Sequence, residues 1–215
     1  MEKKSIFFIF VLLILFLMPP TVFADQIELQ NGEKLRGDVQ NDSLSLQTPY
    51  AKLNVQTQYI NKLKQEIVDE EEIFVIRASE NNKFSGQLLS EISFLVNGSE
   101  RVFSASEIRS LDFSDNEAFD DNKEISVKLK NGDLFFASTV ENAISINTSL
   151  GSPLNINYEN LLSIEYLSNE ETYLVKRKNS SDIKSELEEQ KIIIWPAAAE
   201  IVEVEFDYIN KITFN

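Results

Sequence analysis

Cysteine and histidine are both missing from this 215-residue chain. Without thiols no disulfide forms, so an exported domain of this composition holds itself by core burial alone. Without imidazole or thiolate, Ser-His-Asp and Cys-His nucleophilic sites are closed, as are most zinc and copper sites. Glycine is scarce, with six residues, and no Gly-rich loop of the phosphate-cradling kind occurs. Cations are also short, with 20 Lys and Arg against 35 Asp and Glu and a net charge of −15. Such a chain repels nucleic acid and anionic lipid, whose attraction rests on Lys and Arg.

Apolar residues make up 43% of the chain. The longest apolar run opens it. Lys3 and Lys4 precede the stretch Ile6 to Met18, Pro19-Pro20 ends it, and Val22-Phe23-Ala24 supplies cleavage subsites. This layout predicts a secretory signal peptide over 1–24, cut after Ala24. The thirteen-residue run is short of the roughly 20 residues of a spanning helix, so no stable membrane span is expected after cleavage. Removal of Glu2, Lys3 and Lys4 takes the net charge from −15 to −16. The expected location is the periplasm or cell surface of a bacterium.

The remaining chain repeats one pattern. In IELQNGEKLRGD, Ile27 and Leu29 alternate with polar residues, Asn31-Gly32 turns the chain, and Leu35, Gly37 and Val39 alternate again. Leu44, Leu46 and Thr48 form a third run, Leu53 and Val55 a fourth, and Ile60 and Leu63 close the unit. Period-two alternation over short runs marks half-buried strands, and Asn-Gly is a hairpin signal that predicts a type I′ turn with positive φ. VKLKNGDLFFAS, from Val127, repeats the scheme around Asn131-Gly132. Two weaker copies align through Phe84 and Gly86 and through Ile183 and Ser185. The closing Ile or Leu falls at 60, 108, 161 and 209. This predicts an all-β chain of four tandem repeats of about 48 residues, each a small antiparallel curled sheet or partly open barrel. The expected modules are 25–66, 67–113, 125–168 and 169–215, with an acidic linker at 114–124. Neighbouring modules are expected to share a core, since a unit of this size is marginal alone. Gly37, Gly86, Ala137 and Ser185 recur after the turn. Small residues there predict a bend or a close backbone approach.

The first copy, read as I-x-L-x-N-G-x-x-L-x-G-x-V … L-x-L-x-T … L-x-V … I-x-x-L, resembles the opening of Sm-like and SH3-like small barrels. It resembles more closely a module of exported bacterial envelope proteins, in which Thr48 and Thr148 stand where that module keeps a Thr. The second resemblance implies fold and compartment and brings no catalytic residue. The Sm-like one implies RNA binding, which an acidic exported chain without a basic aromatic strand face contradicts.

For metal, the sequence offers a weak oxygen-ligand cluster, Asp112, Asp115, Glu117, Asp120 and Asp121, with Glu124 beyond it. It lacks the alternation and central Gly of an EF-hand loop and reads as a solvated linker. The tyrosines read as core or rim packing. Trp195-Pro196 reads as an edge strand or loop tip, because Pro removes a ladder donor. No cofactor is expected, nor a cleft lined by facing carboxylates. The expected function is non-enzymatic: an exported binding or scaffold protein for an envelope protein partner, docking by strand addition. The alternatives are a carboxylate-dependent carbohydrate-active enzyme and a calcium-responsive surface protein.

Overall fold

A computed structural model describes residues 24–68, 70–114, 117, 124–147, 153–187 and 190–215. The signal peptide expected over 1–24 lies, but for Ala24, outside the described residues. The fold is all-β, built from antiparallel strands that do not close into a barrel. Among the described residues no helix is long and apolar enough to cross a membrane.

The first half runs β1 (Asp25–Leu29), β2 (Lys34–Val39), β3 (Ser43–Gln47), β4 (Lys52–Gln56), β5 (Ile60–Val68), β6 (Glu71–Ala78), β7 (Asn82–Leu88), β8 (Ile92–Val96), β9 (Ser99–Phe103) and β10 (Ile108–Asp112). The second half runs β11 (Ile125–Leu129), β12 (Leu134–Thr139), β13 (Ala143–Asn147), β14 (Pro153–Asn157), β15 (Leu161–Leu167), β16 (Thr172–Arg177), β17 (Ile183–Ser185), β18 (Lys191–Pro196), β19 (Val202–Glu205) and β20 (Ile209–Phe214). A single 3-10 turn precedes each of β5, β10, β15 and β20.

In the first half β1 pairs with β2 and β10, β5 with β10 and β6, and β6 with β7. The remaining hairpins cross over. The β3–β4 hairpin joins β7, and the β8–β9 hairpin joins β2. The second half repeats these ladders strand for strand, with β11 for β1 through β20 for β10. One ladder is the exception: β13–β14 forms a separate two-stranded sheet and does not pair with β17.

The expected small curled sheets are thus not self-contained. Strands 1–5 give away their third and fourth members to strands 6–10 and take two in return. Five strands of about five residues expose too much apolar surface to stand alone, and the exchange lets two sets cover each other. The expected boundary at 66/67 falls inside the β5–β6 pairing. β5 and β6 form one continuous hairpin whose pairing runs out to Val68 and Glu71. The core is shared, with one hydrophobic cluster extending from Ile27 through Phe84, Phe94 and Phe135 to Phe214.

The small residues explain how the hairpins cross. A Cβ on Gly37 would stand 2.0 Å from the Leu95 carbonyl oxygen, and one on Gly86 2.3 Å from that of Gln47. These two positions are where β8 lies against β2 and β3 against β7. Ser185, the counterpart of Gly86, carries a side chain, and there the crossing ladder is missing.

The turns partly differ from expectation. Gly32 and Gly132 have φ of +86° and +85°, but Asn31 and Asn131 stay on the negative side. Gly32 N–H bonds to Leu29 O at 2.9 Å and Leu29 N–H to Glu33 O at 2.9 Å. That is a type I turn closed by a left-handed glycine rather than the two-residue I′ turn. The I′ geometry falls at Asn97-Gly98, with φ of +51° and +79°, linking β8 to β9. Pro196 does not mark an edge strand. β18 lies between β12 and β19, and Pro196 is its last residue, where its missing N–H interrupts no further ladder.

Candidate binding surfaces

The two halves meet where β7 is shared. Along its edge away from β6, β7 pairs with β3 at Gln87 and Leu88, and with β12 at Lys83. Between them Ser85 is left without a strand partner on that side, and Asp133 fills the gap. Asp133 is fully buried. Its Oδ2 accepts from Ser85 N–H, Tyr50 O–H and Asn131 Nδ2, each at 3.0 Å, and its Oδ1 accepts from the Ser85 hydroxyl at 2.5 Å. Phe135 stacks between Tyr50 and Phe84, with ring centroids 6.3 and 5.3 Å away. Buried Asn82 takes Phe136 N–H at 2.7 Å.

The loop 197–201 completes this seam. Ala197, Ala198 and Ala199 are buried, Gln56 N–H donates to Ala198 O at 2.8 Å, and Val55 bridges to Ala199. The WPAAAE segment is therefore an internal dock for β4. Trp195 itself stays 55% exposed, its indole N–H held by Ala199 O at 3.0 Å.

Burial first, and Asp133 second, hold the Tyr50 phenol well above its ordinary value, while burial pushes Tyr158 up to about 12, with Glu141 adding. A raised folded-state value means that stability is full below the unfolded phenol's value near 10 and is lost as pH climbs through the folded one. The phenols' contribution to the urea midpoint should therefore be flat from neutral pH to about pH 10 and fall above it. Tyr158→Phe should remove the part of the fall between about 10 and 12. An unchanged profile in that variant would contradict the assignment.

Beside the seam lies a cleft of about 400 Å³. Ile73, Val75 and Ser85 lie along the sheet, Thr48 and Pro49 on one side, Glu66 and Glu71 on the other. Sequence reasoning missed this cleft. The two carboxylates stand on adjacent strands of the β5–β6 hairpin, so they share one wall rather than facing each other. Thr48 ties the neighbouring turn, accepting from Ala51 N–H at 2.9 Å and donating to Ala51 O at 2.7 Å. Thr148 lies outside the described residues.

The described members of the acidic cluster each have a partner outside it. Asp112 pairs with Lys62 at 2.6 Å, Glu117 takes Gln58 Nε2 at 3.4 Å, and Glu124 holds Thr139 N–H and hydroxyl at 2.9 Å each. Asp115, Asp120 and Asp121 lie outside the described residues. Among the described residues no group of three acidic, His or Cys side chains could hold a metal.

The edge of β9 is open to solvent. Among the described residues this strand pairs only with β8, and Ser99 to Val102 are exposed, Val102 by 56%. Ser93, opposite Val102, sends its carbonyl to Gln40 N–H at 2.9 Å and its N–H to Asn41 Oδ1 at 2.8 Å, both away from β9. In an antiparallel pair Val102 must then turn its own N–H and C=O outward.

No protein-family model matches the chain, and comparison with curated proteins and with solved structures finds no match.

Proposed function

We propose that this is an exported, non-enzymatic binding or scaffold protein of a bacterial envelope, built by duplication of one strand module into four copies. The N-terminal charge and apolar pattern supports export. The recurrence of the same ladders in the two halves supports duplication. The observation that carries the binding reading is the β9 edge, whose outward backbone groups at Val102 suit an added strand from a protein partner.

Val102→Pro tests it. Proline removes the outward N–H, which no ladder of this chain uses, and is tolerated on an edge strand. Envelope proteins retained by the parent should be lost with the variant, while circular dichroism stays unchanged. Equal retention by both, or no retention by the parent, would defeat the reading. The same protein should begin at Asp25 by intact mass.

The cleft with Glu66 and Glu71 favours a second reading, a carboxylate-dependent enzyme acting on carbohydrate. Two carboxylates are the minimum such chemistry uses. Polysaccharide turnover that vanishes in Glu66→Gln would promote it.

A further inference from the structure

The contact between the halves is head-to-tail. The head is the edge of β12 with Asp133 and the 197–201 loop, all from the second half. The tail is β4 and β7, from the first. The head's ladders recur in both halves; on the tail side the residues of β4 and β7 have counterparts in β14 and β17, which carry them without the β3–β7 ladder. One head, on the first half, and one tail, on the second, remain outside this contact.

The residues at these two places differ from their counterparts in a concerted way. The register aligns Glu33, Lys34 and Leu35 with Asp133, Leu134 and Phe135. It aligns Asp182, Ile183 and Lys184 with Lys83, Phe84 and Ser85. In the internal seam Leu134 bridges to Lys83, Phe135 packs on Phe84, and Asp133 binds Ser85. Matched residue for residue along the β2 and β17 edges, Lys34 meets Asp182, Leu35 meets Ile183, and Glu33 meets Lys184. Two opposite-charge pairs flank one apolar contact. Glu33 and Lys184 are exposed, and Leu35 and Ile183 are only half-buried, whereas Phe135 and Phe84 are fully buried.

A hollow supports the match. In the first half the 197–201 loop covers β4 at Val55, and Leu53 is fully buried. In the second half the counterpart of Leu53, Leu154, is 36% exposed. It lines a hollow of about 270 Å³ with Asn155, Ile156 and Asn157. The Asn97-Gly98 turn of the first half stands where the 197–201 loop stands in the second.

We infer that copies of this chain associate head to tail, the β2 edge and Asn97-Gly98 turn of one copy seating on β14 and β17 of the next. A heterologous contact of this kind leaves a free head and a free tail after every addition. It builds an open series rather than a closed dimer. The pairing of opposite charges at the contact offsets repulsion between chains of net charge −15. This surface is separate from the β9 edge, and the inference stands whether or not a partner strand binds there.

Sedimentation velocity tests it, using the protein as its own cell processes it, over roughly a hundredfold range of concentration. The expected result is a mass that rises through dimer and trimer without a stop. Glu33→Lys and Lys184→Glu should each weaken association by more than about tenfold, because each sets like charges face to face. Mixing the two variants should restore it, since every contact in the mixture again joins opposite charges. Both side chains are exposed, so unchanged circular dichroism will show that folding is intact. A monomer at all concentrations, a series that ends at the dimer, or association indifferent to both substitutions would overturn the inference.

Discussion

Asp133→Ala is expected to lower stability by about 3 kcal/mol or more, and to uncouple the two halves. The substitution takes away the acceptor of Ser85 N–H, the Ser85 hydroxyl and Tyr50 O–H, all inside a sealed seam. A buried donor left without a partner costs about 1–3 kcal/mol, and water entering the space recovers part of that. The four donors reach Asp133 from both sides of the contact, so the loss falls on the coupling between halves. Trp195, the single tryptophan, reports on the second half alone, while far-ultraviolet circular dichroism reports on the whole chain. In the parent the two urea transitions should coincide. In the variant they should separate, the mark of lost two-state behaviour. Coincident transitions at an unchanged midpoint would show that the seam does not depend on this carboxylate.

Gly37→Ala should be comparably damaging. The added Cβ would meet backbone, 2.0 Å from Leu95 O and 2.9 Å from Leu95 C, so no side-chain rotation relieves it. β8 must lift away from β2, and the exchanged hairpin loses its seat. Overpacking of this kind costs about 1–3 kcal/mol and more where backbone must move, so a loss of about 3 kcal/mol is expected. Gly98→Ala is the control. Unlike Gly37 it sits at positive φ, yet nothing stands within 4 Å of its Cβ, and its cost should stay near 1 kcal/mol. Equal midpoints for the two variants would mean that glycine at 37 serves chain flexibility and not the crossing.

What the sequence shows of this fold is the part set by neighbouring residues. The alternation at Ile27-Leu29, Leu44-Leu46 and Val127-Leu129 marks strands, because side chains two apart share a face. The smallness of residues 37 and 86 shows that something approaches closely. It does not show what, since periodicity fixes the face a strand buries and not the strand it pairs with. The exchange of hairpins was hidden for that reason. Asp133 was hidden more completely. It occupies the same place after Asn-Gly as Glu33, which is exposed, and only the other half of the chain distinguishes them. Asn97-Gly98 was legible as a hairpin, since it separates two apolar runs. The cleft beside β7 arises from Thr48, Glu71 and Ser85, which are distant in sequence and carry no shared local signal.

The hairpin exchange also sets an order of events during synthesis. Ile27 finds its β10 partner, Leu111, only after the whole first half has been made, and β3 waits for β7. Contacts so far apart in sequence form slowly, because a long loop must close before they do. A half-finished copy cannot rest in a folded state, with its β3–β4 hairpin unseated and its β2 edge uncovered. If the chain is exported as proposed, that delay suits it, since a translocation channel needs thread rather than cloth and the matching strands come through last.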